Sequence, residues 1–441
     1  MEKFDLSAIN LNLSEDDKKR PLIFYAAGKF AETHIKELHE NEIVPMCFAD
    51  KNQAKHNTVF CGYEILSLDC ALERYPDALI VLTCGQKNLA PIVNELTQIV
   101  DAKLLRYPYE TYYGLGCDFL GTHIVLYYHG KIGCSQGKRF TIPGINFLND
   151  SLDISLSAIP NHAKTIIQKI IAGEENDCTG CKELKENFWE TKPRVNALYY
   201  SSAFKGAVCN YNCPECSHNL WFKSDEKYKD INRPVASELL QYFYDNYKKL
   251  NISVDKSGFY CLISIGETAM LPDFENILKI IDNAGGWIIP VFATNGSIYS
   301  ELWVKSMQKH PEGFLLCDIS AGTVDTYKKL KGVTCIERVV DNLEKYVKAA
   351  LTPSQICIKY IFFDGINDNM DDVNGFLEIA KRLKCNVYIS NNLYKMQKIT
   401  DKIKESYIYM TDELNRNNII WQNDICQKTA FEGILNSEVF S

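Results

Sequence analysis

The apolar positions of the first hundred residues fall into short runs separated by amphipathic stretches. The runs are Pro21-Leu-Ile-Phe-Tyr25, Ile43-Val-Pro-Met-Cys-Phe48 and Ala78-Leu-Ile-Val-Leu-Thr83, and helical spacing covers residues 30–40 and 89–100. An apolar run without alternation suits a strand covered on both faces, and such strands alternating with helices predict a parallel sheet with helical crossovers. Residues 101–192 are less regular. There Ile124-Val-Leu-Tyr-Tyr-His129 predicts a strand that turns at His129-Gly130-Lys131, and Ile166, Ile167, Ile170 and Ile171 predict a helix over 163–172.

From Val195 the alternation returns. Strands are predicted over 197–204, 259–265, 287–293, 314–319, 356–363 and 386–390, with helices over 236–250, 273–284, 298–309, 336–350 and 371–383. Six such units with right-handed crossovers predict a partial (β/α)6 barrel, in which ligands sit at the carboxyl ends of the strands. The fold class is therefore α/β. The expected domains are a parallel-sheet domain over 1–105, a small irregular α+β cysteine module over 106–192, and the partial barrel with a C-terminal extension over 193–441.

Composition narrows the partners. With 46% hydrophobic and 24% charged residues among 441, the chain is neither disordered nor fibrous, and it has room for two or three domains. A net charge of −8 without any Lys/Arg-dense stretch argues against nucleic acid. No apolar run approaches the ~18 residues of a membrane span, and Met1-Glu2-Lys3-Phe4-Asp5 does not begin an export signal. No membrane partner and a cytoplasmic location are expected.

Seventeen cysteines are many for such a chain. Most, such as Cys47, Cys84, Cys261, Cys317 and Cys357, stand singly in apolar stretches and read as small buried hydrophobes. Others cluster: Cys178 with Cys181, and Cys209, Cys213 and Cys216 in C-x3-C-x2-C spacing. Three thiolates on one short loop suit a face of a cubane iron–sulfur cluster, each on its own iron, with a fourth iron left for another ligand. Zinc is the alternative there, with His218 as its fourth ligand. Asn210, Asn212, Pro214 and Glu215 make poor core residues, which argues against a chance cluster of buried thiols.

The triplet resembles that of the radical SAM enzymes. In that family the loop after the first barrel strand holds a [4Fe–4S] cluster, whose open iron chelates S-adenosylmethionine. Three further strand ends carry the resemblance. Gly266-Glu267, followed by Leu271-Pro272, is similar to the Gly-Gly-Glu motif that meets the cofactor's amino group. Thr294-Asn295-Gly296 matches a familiar family turn, and Ser320 stands on the strand that contacts the ribose. The stretch Lys359 to Asp368 resembles another recurrent family segment. Ile265 and Thr268 depart from the family pattern, and Glu215 stands where an aromatic residue usually precedes the third cysteine. The resemblance implies an enzyme that reductively cleaves S-adenosylmethionine to a 5′-deoxyadenosyl radical, fed by a reducing partner such as flavodoxin or ferredoxin.

Residues 121–184 resemble the auxiliary-cluster (SPASM or Twitch) modules of that family, although here they precede the barrel. The resemblance implies a second iron–sulfur cluster on Cys134, Cys178 and Cys181, with Cys117 as a further candidate; zinc and a bare turn are the alternatives. The first domain resembles the Rossmann-like domains of nucleotide-sugar and surface-carbohydrate proteins. Its turn Ala26-Ala27-Gly28-Lys29-Phe30-Ala31 is a degraded G-x-G-x-x-G/A, and Asp50 lies where a ribose-binding acid would sit. A small-molecule substrate, a sugar or nucleotide sugar, is expected first, a peptide or protein second. A non-catalytic iron–sulfur or zinc protein is the alternative from a different class.

Overall fold

The computed structural model describes residues 9–85, 88–126, 131–134, 141–146, 150–181, 183–200, 208–214, 216, 235–252, 254, 259–263, 266–391 and 399–423. The first sheet is built from β1 (Leu22–Tyr25), α1 (Lys29–Glu40), β2 (Cys47–Ala49), β3 (Val59–Phe60), β4 (Tyr63–Leu66), α2 (Leu68–Arg74), β5 (Leu79–Leu82), α3 (Leu89–Leu96) and β6 (Leu105–Arg106). Its strand order is β3-β4-β2-β1-β5-β6, parallel except for the β3–β4 pair, so the order reverses between β1 and β5. Leu22, Phe24, Leu79 and Val81 share one core with Ala31 and Leu38 of α1. Ile23, Tyr25, Ile80 and Leu82 share the other with Leu89, Val93 and Leu96 of α3. Successive residues of a strand point to opposite faces, and both faces are covered here; hence the unbroken apolar runs.

Then follow β7 (Thr111–Gly116), β8 (His123–Leu126), β9 (Ile132–Gly133), α4 (Leu152–Ile171) and β10 (Lys185–Glu190). β7 and β10 form an antiparallel ribbon that inserts Phe188 into the α3-side core of the first sheet. β8 takes a different course: it lies parallel to β11 (Ala197–Tyr200), with Ala197 opposite His123. The stretch expected to form a cysteine module of its own is thus divided between this ribbon and the large sheet that holds β8 and β9. The cause is β8, which buries Ile124, Val125 and Leu126 and finds its parallel neighbour far downstream. α4 also starts earlier than expected. Ser151 caps it by accepting from the Ile154 amide, and the helix runs on through Pro160.

The large sheet continues through α5 (Ala236–Asp245), β12 (Phe259–Ile263), α6 (Phe274–Asn283), β13 (Ile288–Thr294), α7 (Glu301–Lys309), β14 (Phe314–Asp318), α8 (Val324–Lys331), α9 (Ile336–Ala349), β15 (Ile356–Phe362), α10 (Met370–Leu383), β16 (Asn386–Asn391), α11 (Asp401–Arg416) and β17 (Trp421–Asn423). Its order is β17-β16-β15-β14-β13-β12-β11-β8-β9, and only β9 is antiparallel. Each strand from β11 to β16 pairs in parallel with its successor in the chain, and helices make the connections. The carboxyl ends of β11 to β17 therefore share one edge, and the loops that follow them are neighbours. No helix among the described residues is long and apolar enough to cross a membrane.

Candidate active site

The cysteine loop lies at that edge and is fastened to the two strand ends beside it. Gly266 has a left-handed backbone (φ +56), and a Cβ there would stand 2.2 Å from the Val208 carbonyl oxygen. Only glycine permits this approach, which lets the Glu267 amide donate to the same oxygen at 2.7 Å. Asn295, just past β13, donates through its side-chain amide to Asn210 Oδ1 at 2.8 Å and lies 3.6 Å from Cys209 Sγ. Asn210 Nδ2 in turn reaches Ser297 Oγ at 2.8 Å. On the far side the buried Tyr211 contacts Cys335 Sγ at 3.0 Å through its hydroxyl, which also accepts from Tyr327 at 3.4 Å.

Cys209, Cys213 and Cys216 are half-buried thiols outside any disulfide. Burial pushes the Cys209 and Cys213 thiols up, Cys213 to about 11, and each also feels Cys216. Among the described residues no group of three or more His, Cys, Asp or Glu side chains is placed to hold a metal ion. A cubane cluster asks for something else: three soft donors spread over three separate irons. Three thiols on one anchored loop fit that requirement.

Glu267 does not present a free acid. It is fully buried; its Oε1 accepts from Thr294 Oγ1 at 2.7 Å and from the Ala269 amide at 3.2 Å, and its Oε2 accepts from the Asn295 amide at 2.7 Å. Burial raises its pKa against the pull of those donors. In this structure Glu267 ties the end of β12 to the end of β13. Ser320 is likewise enclosed. Its left-handed backbone (φ +50) is held by Asn367, whose Nδ2 donates to the Ser320 carbonyl at 2.7 Å, while its hydroxyl donates to Asp318 and accepts from the Ile361 amide. The residues expected to meet the amino group and the ribose thus brace the strand ends first.

The second cysteine group is brought into one neighbourhood. Cys117 follows β7, Cys134 follows β9, and the Cys181 amide closes a turn on the Cys178 carbonyl at 2.8 Å. Burial first, and then Cys117, Cys134 and Cys181, push the Cys178 thiol up to about 12. The singly placed Cys47, Cys84, Cys261, Cys317 and Cys357 are all buried, as their apolar settings predict.

At the turn after β1 the chain satisfies itself. Asp50 Oδ2 accepts from the Ala27 amide at 3.0 Å and from Lys55 Nζ at 2.8 Å, and Lys55 also donates to the Ala27 carbonyl. The crevice where the strand order reverses is filled as well. Tyr107 is buried there with its hydroxyl on the Cys84 carbonyl at 3.2 Å, and Phe30 and Tyr109 pack beside it. Arg194 lies 4.6 Å over the Tyr109 ring and pairs with Glu37.

His129, Gly130, Glu215, His218, Ser264 and Ile265 lie outside the described residues. Sequence reading passed over Asn210, Tyr211, Ser297, Asp318 and Lys331 as functional residues. The two asparagines that interrupt the cysteine spacing were the available signal, since a short loop keeps amides where it must bond to a neighbour.

No family model matches the chain, and no curated protein matches it. Among solved structures the chain is similar to Streptococcus suis SuiB bound to the precursor peptide SuiA, at 13% identity over 73% of this chain and 75% of that one, with a TM-score of 0.42. It is also similar to anSMEcpe with bound AdoMet, at 18% identity over 54% of this chain and 66% of that one, with a TM-score of 0.39. A radical SAM methyltransferase from Sphaerobacter thermophilus gives 13% identity over 49% and 63%, with a TM-score of 0.35. These are distant likenesses; the cysteine loop and the strand ends that hold it carry the functional reading.

Proposed function

We propose that the chain is a radical SAM enzyme. The observation that carries this reading is the anchored triplet: Cys209, Cys213 and Cys216 stand on a loop joined through Val208 and Asn210 to the ends of the next two parallel strands. The three cysteines would hold three irons of a [4Fe–4S] cluster, leaving its fourth for the amino and carboxylate groups of S-adenosylmethionine. When bound, the pair supplies one-electron reductive cleavage to a 5′-deoxyadenosyl radical, which takes a hydrogen atom from substrate. The protein's part is positioning: Gly266 admits the loop, Glu267 fixes Thr294 and Asn295, and Asn295 fixes Asn210. The shared carboxyl edge is where cofactor and substrate would meet.

The order of the five parallel strands of the first sheet supports a Rossmann-like domain, and its filled crevice supports a packing role rather than nucleotide binding. That removes the support which a nucleotide-binding first domain lent to a sugar-nucleotide substrate, and leaves another small molecule or a peptide. Cys117, Cys134, Cys178 and Cys181 are proposed as an auxiliary iron–sulfur site.

Anaerobic reconstitution with iron and sulfide, followed by dithionite and S-adenosylmethionine, tests the reading. Release of 5′-deoxyadenosine by the parent, and its loss with Cys209→Ala, Cys213→Ala or Cys216→Ala, is expected. Release that survives in any of the three overturns it.

A further inference from the structure

The last turn of α8 carries a buried positive charge to the cysteine loop. Lys331 is 9% exposed, and its ammonium pairs with Asp318 Oδ2 at 2.7 Å. Asp318 is fixed from its other side by the Ser320 hydroxyl. Just past Lys331, Gly332 ends the helix with a left-handed backbone (φ +75), where a Cβ would stand 3.2 Å from the Asn212 carbonyl oxygen. Asn212 is the neighbour of Cys213, so the helix end abuts the loop at its middle cysteine. One turn back, Tyr327 donates to Tyr211 of the same loop.

The charge is retained. Burial works to strip the proton from Lys331, and Asp318 and Cys213 together outweigh it, so its pKa is raised. The pair is thus held at the helix end that abuts the loop beside Cys213.

Nothing in the fold alone requires an ammonium at this place. A buried ion pair is often no more stabilising than apolar residues of the same volume, because both charges lose their hydration. A thiolate-bound iron–sulfur cluster gives the charge a purpose. Each electron added makes the assembly more negative by one unit, and the potential of such clusters follows the charge around them.

We propose that Lys331, oriented by Asp318, is the counter-charge that raises the reduction potential of the cluster held by Cys209, Cys213 and Cys216. The inference rests on the radical SAM reading of the loop. The reduction it assists is the uptake of one electron from a low-potential one-electron donor, with no bond made or broken in the protein.

The test is an anaerobic potentiometric titration of the reconstituted full chain, with dithionite as the donor and without S-adenosylmethionine. The reduced cluster is read by its electron paramagnetic resonance signal, and the signal that Cys213→Ala abolishes marks the loop's cluster. Lys331→Met is expected to load the same iron and to make the reduction equilibrium at least tenfold less favourable, about 59 mV lower for one electron. Lys331→Arg keeps the charge and should stay near the parent value. Asp318→Asn removes the opposing charge and should move the potential upward.

A Lys331→Met protein with full iron and the parent's potential overturns the proposal. Should that variant fail to load, Asp318→Asn decides alone, and a potential that is unchanged or lower overturns it. A parent chain that binds no cluster on the triplet fails differently: it overturns the radical SAM reading itself.

Discussion

Asn295 donates its side-chain amide to Asn210 Oδ1 at 2.8 Å, across the gap between the end of β13 and the cysteine loop. The same Asn295 accepts from the Ser297 amide at 2.9 Å, so it holds its own turn and the loop together. Neutral hydrogen bonds contribute about 1 kcal/mol each, and Asn295→Ala loses both of these and the weaker one to Cys209 Sγ. Release of 5′-deoxyadenosine is expected to fall about tenfold or more, with iron content close to the parent's. Asn295→Asp keeps the acceptor for Ser297 and should fall between the two. Iron analysis and chromatography of the nucleoside check both.

Glu267→Ala should act on the fold before it acts on cofactor binding. It leaves the Thr294 hydroxyl and the Asn295 and Ala269 amides without their buried acceptor. Such losses cost about 1 to 3 kcal/mol each. A fall in Tm by calorimetry, together with poorer iron loading, is expected; Glu267→Gln retains one oxygen and should lose less. An alanine variant as stable and as iron-rich as the parent, weakened only in S-adenosylmethionine binding, would restore the direct contact expected from the motif.

The second cysteine group gives a countable outcome. With two cubanes the reconstituted chain should carry about eight irons, against about four for the triplet alone. Replacing Cys134, Cys178 and Cys181 together by Ala should bring the count to about four and retain some S-adenosylmethionine cleavage. About four irons with one zinc in the parent would assign the group to zinc instead.

His123 ties stability to pH. Burial lowers its pKa to about 4, from an ordinary histidine value of 6.5. Between those values the unfolded chain binds the extra proton and the folded chain does not, so this residue's contribution is complete above pH 6.5. It is lost as pH falls toward 4, at up to about 1.4 kcal/mol per pH unit. Denaturant titrations across that window should show a smaller slope in His123→Phe than in the parent.

Asp50→Ala should leave nucleotide binding unaffected, since parent and variant are both expected to give no heat of tight binding with NAD or a nucleotide sugar. The variant should be less stable, because Asp50 secures the Ala27 amide and Lys55.

The strands were legible where the chain supplied its own contrast. β13, β14, β15 and β16 run within about one residue of their expected bounds, because each is an apolar run between polar helix ends. β3, β4 and β6 were not, being short and mixed: Val59 is largely exposed, and β6 has two residues. α8 was not legible because it is mostly polar in composition, yet it buries Tyr327 and Lys331. The cysteine loop was legible as donors on a spacing. What the spacing could not show was where Glu267 and Ser320 point, since that depends on partners 27 and 41 residues away that accept or donate in three dimensions.

The β7–β10 ribbon also says something about how the chain is threaded. Gly116 lies opposite Lys185, so the chain leaves the ribbon and re-enters it at adjacent points. Residues 117–184 are therefore spliced into a hairpin, in the way that a cassette is. Lengthening such an excursion is entropically mild, about 0.6 kcal/mol for each doubling. A freely exchangeable cassette would return without touching anything else, but this one lends β8 to the large sheet on its way. The splice thus doubles as a rivet: exchanging it whole would take one strand from the sheet that presents the cysteine loop.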